Sequence, residues 1–200
     1  MKRHRMPILI AIALPVALAI FWFVSSSRAA TETPEYKVIR KDDRVEIRDY
    51  PALTVATALM GERERDASFG KLFRFITGGN EQSEKIAMTT PVLIDTANEK
   101  KTMNFIMPKK VAENGVPKPS GESVSLGKVE AARFAVLRFS GGRTTEKEAK
   151  AVEKLKAWLE GQKIAGKGAP MFAYYDPPWT PVFMRRNEVM IRIDHRAGDQ

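Results

Sequence analysis

The 200-residue chain has no cysteine and only two histidines, His4 and His195. Without thiols there is no disulfide, no thiolate nucleophile and no thiolate metal site. Two histidines at opposite ends do not supply a histidine-built zinc site or a serine–histidine triad. Long basic runs and arginine-rich helices are missing as well. The net charge is +9, but Lys2, Arg3, Arg5 and Arg28 contribute four of those charges and leave +5 on the remainder. So thin a positive balance argues against a nucleic-acid-binding protein. The paired acids, Asp42-Asp43 and Glu62 with Glu64, fall in turns among basic residues and read as solvated charge. Ser83 and Ser140 have no histidine to activate them. Gly141-Gly142 precedes a helical pattern without the lysine spacing of a phosphate loop. No hydrolase or transferase constellation is present, so the expected protein is not an enzyme, with no catalytic residues and no metal ligands.

What is present fills one ordinary domain, since 44% of the residues are hydrophobic. Residues 1–30 read as an export signal or a single membrane anchor. A positive flank, MKRHR, precedes an uncharged stretch over 7–24. Its 18 residues exceed the ~7–15 of a secretory core and reach the ~17–25 of a spanning helix. Ser27-Arg28-Ala29 resembles a cleavage site, so both fates stay open. Either one puts the domain outside the cytoplasmic membrane, in the periplasm or on the extracellular side, with the basic flank inside. Residues 31–35 form a polar tether, 36–194 the domain and 195–200 a tail.

Alternating patterns predict strands over 36–40 and 45–50 around the turn Lys41-Asp42-Asp43-Arg44, and a third over 53–60. Phe69, Leu72, Phe73 and Ile76 follow helical spacing, and Gly78-Gly79-Asn80 stops that helix. Its apolar arc is about 160° wide, more than a core-covering helix needs. Phe69 and Phe73 therefore sit at an edge beside Arg74. An extended run, Lys85-Ile86-Ala87-Met88-Thr89-Thr90-Pro91-Val92, follows. A strand over 103–107 comes next, and 109–123 reads as a surface loop. Residues 132–139 form a strand, and Thr144 caps a helix rich in early acids that runs to about Glu160. Further extended segments lie at 173–175 and 187–193. Strand–helix–strand–strand thus occurs twice, and Thr90-Pro91-Val92 recurs as Thr180-Pro181-Val182. This predicts an internal duplication of two βαββ halves in an α+β domain.

Three segments carry a sharper likeness: the Lys85–Val92 run, Tyr175-Asp176-Pro177-Pro178-Trp179-Thr180-Pro181, and Arg185-Arg186-Asn187-Glu188-Val189. In order and spacing they resemble the three signatures of the SOUL haem-binding family, and the likeness spans residues 36–193. It implies a distorted antiparallel β-barrel built from duplicated βαββ halves and flanked by two helices. It also implies a haem or porphyrin site beside the first helix and the Pro-Pro loop. The matching positions are Phe69, Phe73 and Arg74 on the helix and Pro177, Pro178 and Trp179 on the loop. Two other basic positions of the family pocket are replaced by Asp66 and Thr180, with Arg65 and Lys71 as the cations near enough to compensate. His195 reads as a solvated tail residue and Met88 as core, so the expectation is a porphyrin whose iron is loosely ligated or unligated, its axial ligand unassigned. The implied function is carriage, buffering or sensing of a tetrapyrrole. The alternative is a membrane-tethered sensing or protein-interaction domain of gyrase-inhibitor-like fold that takes another flat apolar molecule.

Overall fold

The computed structural model describes residues 31–61, 65–97 and 101–194. The expected anchor or signal, Glu62 with Glu64, His195 and the tail lie outside the described residues. Nine strands form one wholly antiparallel sheet: β1 Lys37–Asp42, β2 Val45–Tyr50, β3 Leu53–Leu59, β4 Val92–Asp95, β5 Thr102–Ile106, β6 Ser125–Val129, β7 Ala132–Ser140, β8 Gly166–Tyr174 and β9 Arg186–Ile193. Among the described residues there are three α-helices: α1 Arg65–Ile76, α2 Lys109–Asn114 and α3 Thr145–Gly161. The strand order is β1-β2-β7-β9-β8-β4-β5-β3-β6.

The sheet is open, which corrects the expected barrel. Closure would need β1 to pair with β6, and both are built as edges. β1 is largely exposed and carries Lys37, Arg40, Lys41 and Asp42, while β6 is short and exposed along four of its five residues. Charged, short outer strands resist further pairing. Period-two alternation sorts the inner strands onto two faces. Val92 and Ile94 of β4 and Val189, Ile191 and Ile193 of β9 join Leu72, Phe75, Leu155 and Leu159 in the larger core, so α1 and α3 cover the same face. Leu93, Phe134, Val136 and Met190 pack together on the face without helices.

Outward from the central β4–β8 pair, the order is β5 then β3 on one side and β9 then β7 on the other. The strand–helix–strand–strand order therefore occurs twice and is mirrored in space. The tripeptide echo does not mark equivalent places. Pro91 leads into β4, whereas Pro181 lies beyond β8 and starts the 3-10 turn Val182–Met184.

Two elements were hidden in the sequence. Residues 109–123 are not one loop, because Pro108 leads into α2 and Gly115, at φ +98°, ends it. Strand β6 follows, a polar segment with Gly127 in its middle that pairs along β3. Both lack an apolar period long enough to be heard. The cap of α3 is as expected: the Thr144 side chain accepts from the Lys147 backbone N–H at 3.3 Å.

Candidate functional site

Helix α1 seats Leu72, Phe75 and Ile76 in the core and fixes its start by Ser68, whose hydroxyl donates to the Leu59 carbonyl at 2.9 Å. Beyond that buried stripe, Phe69 and Phe73 are 38% and 49% exposed. Their rings lie 6.0 Å apart and within 14° of parallel, and Phe69 rests edge-on against the buried Phe105 at 5.2 Å. The result is a half-exposed aromatic rim braced by Phe105. Arg74 is exposed near the end of the helix. Gly78, at φ +110°, lets the chain leave α1. Asn80 then clamps the following turn: its amide donates to the carbonyls of Phe75 and Glu84, and its oxygen accepts from the N–H groups of Gln82 and Glu84. Met88 packs partly buried against the core, as expected.

The Pro-Pro loop is stapled from inside. The Asp176 carboxylate accepts the Arg186 backbone N–H at 2.6 Å, and the Asp176 carbonyl accepts from Arg143 Nη2 at 2.9 Å. Arg185 donates to the carbonyls of Thr180 and Pro178. Held this way, Pro177 is half-buried and Pro178 exposed, while Trp179 and Phe183 stand 73% and 78% exposed. Thr180, at a position that is basic in the resembled pocket, is buried.

Helix and loop meet at Tyr174, the last residue of β8. Its ring lies 5.6 Å from the Arg65 guanidinium and 4.3 Å from that of Arg143. Its hydroxyl donates to Glu148 at 2.5 Å, and Arg65 donates to the same carboxylate oxygen at 3.1 Å. Burial, together with Glu148, pushes the Tyr174 phenol far above its ordinary range. Arg65 is thus the α1 cation at the loop's base. Arg74 lies nine residues further on, about 13 Å along the helix axis. Phe69, Phe73 and Arg74 share the exposed side of α1, and the loop springs from the helix's opposite end. Sequence reasoning missed Arg143, Glu148 and Tyr174. No local pattern marks them, because β8, α1 and the start of α3 converge only in the folded sheet.

Two other regions lie apart from this site. On the face without helices, Glu188 is fully buried. It accepts from Arg48 at 2.8 and 3.1 Å, from Arg186 at 2.7 and 3.0 Å, and from Tyr175 at 2.9 Å. Burial pushes the neighbouring Tyr50 phenol up to about 12. The void on that face, bordered by Tyr50, Leu93, Phe134 and Met190, is about 20 Å³ and cannot admit a porphyrin. A wider cleft of about 770 Å³ lies between residues 32–35, the β2–β3 corner and α2. Its rim carries Glu32, Glu35 and Glu113 against Lys109 and Lys110. That balance is wrong for a dicarboxylate ligand.

The sequence matches the family model described as SOUL heme-binding protein over residues 31–192. No curated protein sequence matches it. Among solved structures, it is similar to the EcmrR C-terminal domain, with a TM-score of 0.58, 10% identity, and 80% of this chain and 99% of that one covered. It is also similar to an uncharacterized conserved protein from Listeria innocua, at TM-score 0.52, 13% identity and 76% and 92% coverage. A hydrolase from Listeria innocua follows at 0.50, 12% identity and 78% and 94% coverage. At such identities the likeness is one of fold alone.

Proposed function

The chain belongs to the SOUL haem-binding family, and from that premise we propose that it binds haem or a related tetrapyrrole without turning it over. The ligand lies on the α1 rim of Phe69, Phe73 and Arg74, bordered by Pro177, Pro178 and Trp179. The observation that carries this is the near-parallel, half-exposed ring pair. An aromatic side chain contributes ~150–250 Å² of contact when covered, and micromolar binding needs only ~8 kcal/mol. The described residues include no histidine, and the chain has no cysteine. The hydroxyls of Tyr174 and Tyr175 are committed to Glu148 and Glu188. These residues suit face contact and not iron ligation. Bound haem supplies a redox-active iron and a dicarboxylate edge, and the protein's part is carriage, buffering or sensing. The mirrored strand order supports reading the domain as two related βαββ halves.

Haemin titration followed at the Soret band tests the site. Phe73→Ala is expected to weaken binding several-fold with an unchanged melt, and His195→Ala is expected to leave the band shift intact. Unchanged affinity in Phe73→Ala, or loss of the shift in His195→Ala, overturns the assignment. A second reading, a tethered sensing or protein-interaction domain for another flat apolar molecule, is favoured by the exposure of Trp179 and Phe183. A haemin spectrum that the protein does not alter selects it.

The same reading places the domain outside the cytoplasmic membrane, on the strength of the Lys2-Arg3-Arg5 flank ahead of an uncharged segment. Among the described residues no helix is long and apolar enough to cross a membrane, so residues 1–30 would carry the attachment. Protease added to spheroplasts is expected to digest the domain, and complete protection rules this topology out. The mass of the mature amino terminus then separates anchor from cleaved signal.

A further inference from the structure

The geometry points to an anion site at Arg143 and Arg65, both stacked on Tyr174, that takes the carboxylates of a tetrapyrrole lying against Phe69 and Phe73. It rests on the reading above for the ligand's apolar face and moves its charged edge away from Arg74.

Three observations converge. First, Arg143 is short of partners. Its Nη2 donates to the Asp176 carbonyl, while its Nε is buried without an acceptor among the described residues. A guanidinium offers five N–H donors in a planar fork shaped for a carboxylate. A buried donor left unmatched is costly, and an incoming anion is the natural remedy. Second, the cluster carries surplus positive charge. Burial, with Arg65 and Arg185 close by, holds the Arg143 guanidinium below its ordinary pKa, against the favourable pull of Tyr174 and Asp176. Glu148 serves both Arg65 and Tyr174 through one oxygen, and the Asp176 carboxylate accepts the Arg186 N–H. Third, the cluster is placed for the ligand. Arg65 lies four residues before Phe69 and hence on the same side of α1. Stacking on Tyr174 holds both guanidiniums in place before any ligand arrives. Arg74 is exposed, and solvent screens what an exposed cation gains from a carboxylate.

Metal-free protoporphyrin IX and its dimethyl ester, titrated into the full-length protein by absorbance and tryptophan quenching, separate the charged edge from the apolar face. Wild type is expected to bind the free acid about ten-fold more tightly than the ester, the size of one charge-assisted contact. Arg143→Met should remove most of that difference and leave the ester unchanged. Should Arg143→Met fail to fold, Arg65→Gln is expected to show the same acid-selective loss. Equal weakening of acid and ester by Arg143→Met, no acid-selective loss in Arg65→Gln, or transfer of the loss to Arg74→Gln overturns the anion site. Equal binding of acid and ester by wild type, still sensitive to Phe73→Ala, sinks the anion site alone. If wild type binds neither porphyrin, the tetrapyrrole reading falls with it.

Discussion

Glu188→Ala is expected to lower the melting temperature by about 6–20 °C. This carboxylate is fully buried and holds two guanidiniums, so its removal leaves the buried Arg48 with Glu46 as its remaining partner and takes from the partly buried Arg186 its buried counter-charge. Breaking a buried ion pair from one side costs about 3–5 kcal/mol, and in a domain of this size each kcal/mol moves the midpoint by about 2–4 °C. The loss comes from stranding the arginines, not from any large net worth of the pair. Scanning calorimetry reads it directly, and a shift below about 2 °C would show that water reaches the two arginines. The pH dependence follows from the same geometry. Burial alone pushes the Glu188 carboxyl up, but the hydrogen bond from Arg48 and the charges of Arg48 and Arg186 outweigh it and hold it below its ordinary 4.5. A carboxyl depressed on folding contributes stability that is complete above the unfolded value and drains away as pH falls toward the folded one. Wild type should therefore lose stability steadily as the pH drops below about 4.5, and Glu188→Gln should lose less over that range.

Phe75→Ala and Phe73→Ala, two residues apart on one helix, are expected to behave in opposite ways. Phe75 is buried under the sheet's larger core, and its truncation leaves a cavity costing about 3–5 kcal/mol. Phe73 is half-exposed, and its truncation should move stability by no more than about 0.5 kcal/mol. For ligand affinity the ranking reverses, since Phe73 is half-exposed while Phe75 is buried. Guanidinium denaturation of both variants, alongside haemin titration at a temperature where both stay folded, checks the pair. Equal destabilisation would mean that Phe73 is a structural side chain and no ligand surface.

The aromatic edge was legible because it is a property of one helix. A 3.6-residue period computed from Phe69 to Ile76 already shows more apolar arc than one sheet face can cover. The Thr144 cap and the Gly78 stop are equally local, set by single residues and their immediate neighbours. The barrel was not legible as wrong, since openness depends on whether β1 and β6 meet, and their exposed, charged character becomes decisive only once they are known to be the two edges.

From the sequence by itself came the absence of thiol and histidine chemistry, the family signatures, the α+β class and the exposed rim of α1. These follow from composition, from spacing along one chain, or from one helix's periodicity. Only the tertiary structure decided that the sheet stays open and that Thr90-Pro91-Val92 and Thr180-Pro181-Val182 occupy unlike places. It also decided that Glu188 is neutralised within the helix-free face, and that Arg65, Arg143, Glu148 and Tyr174 form one cluster. Those four come from α1, the approach to α3, α3 itself and the end of β8. Their meeting is a matter of strand order and helix placement, to which no spacing along the chain corresponds.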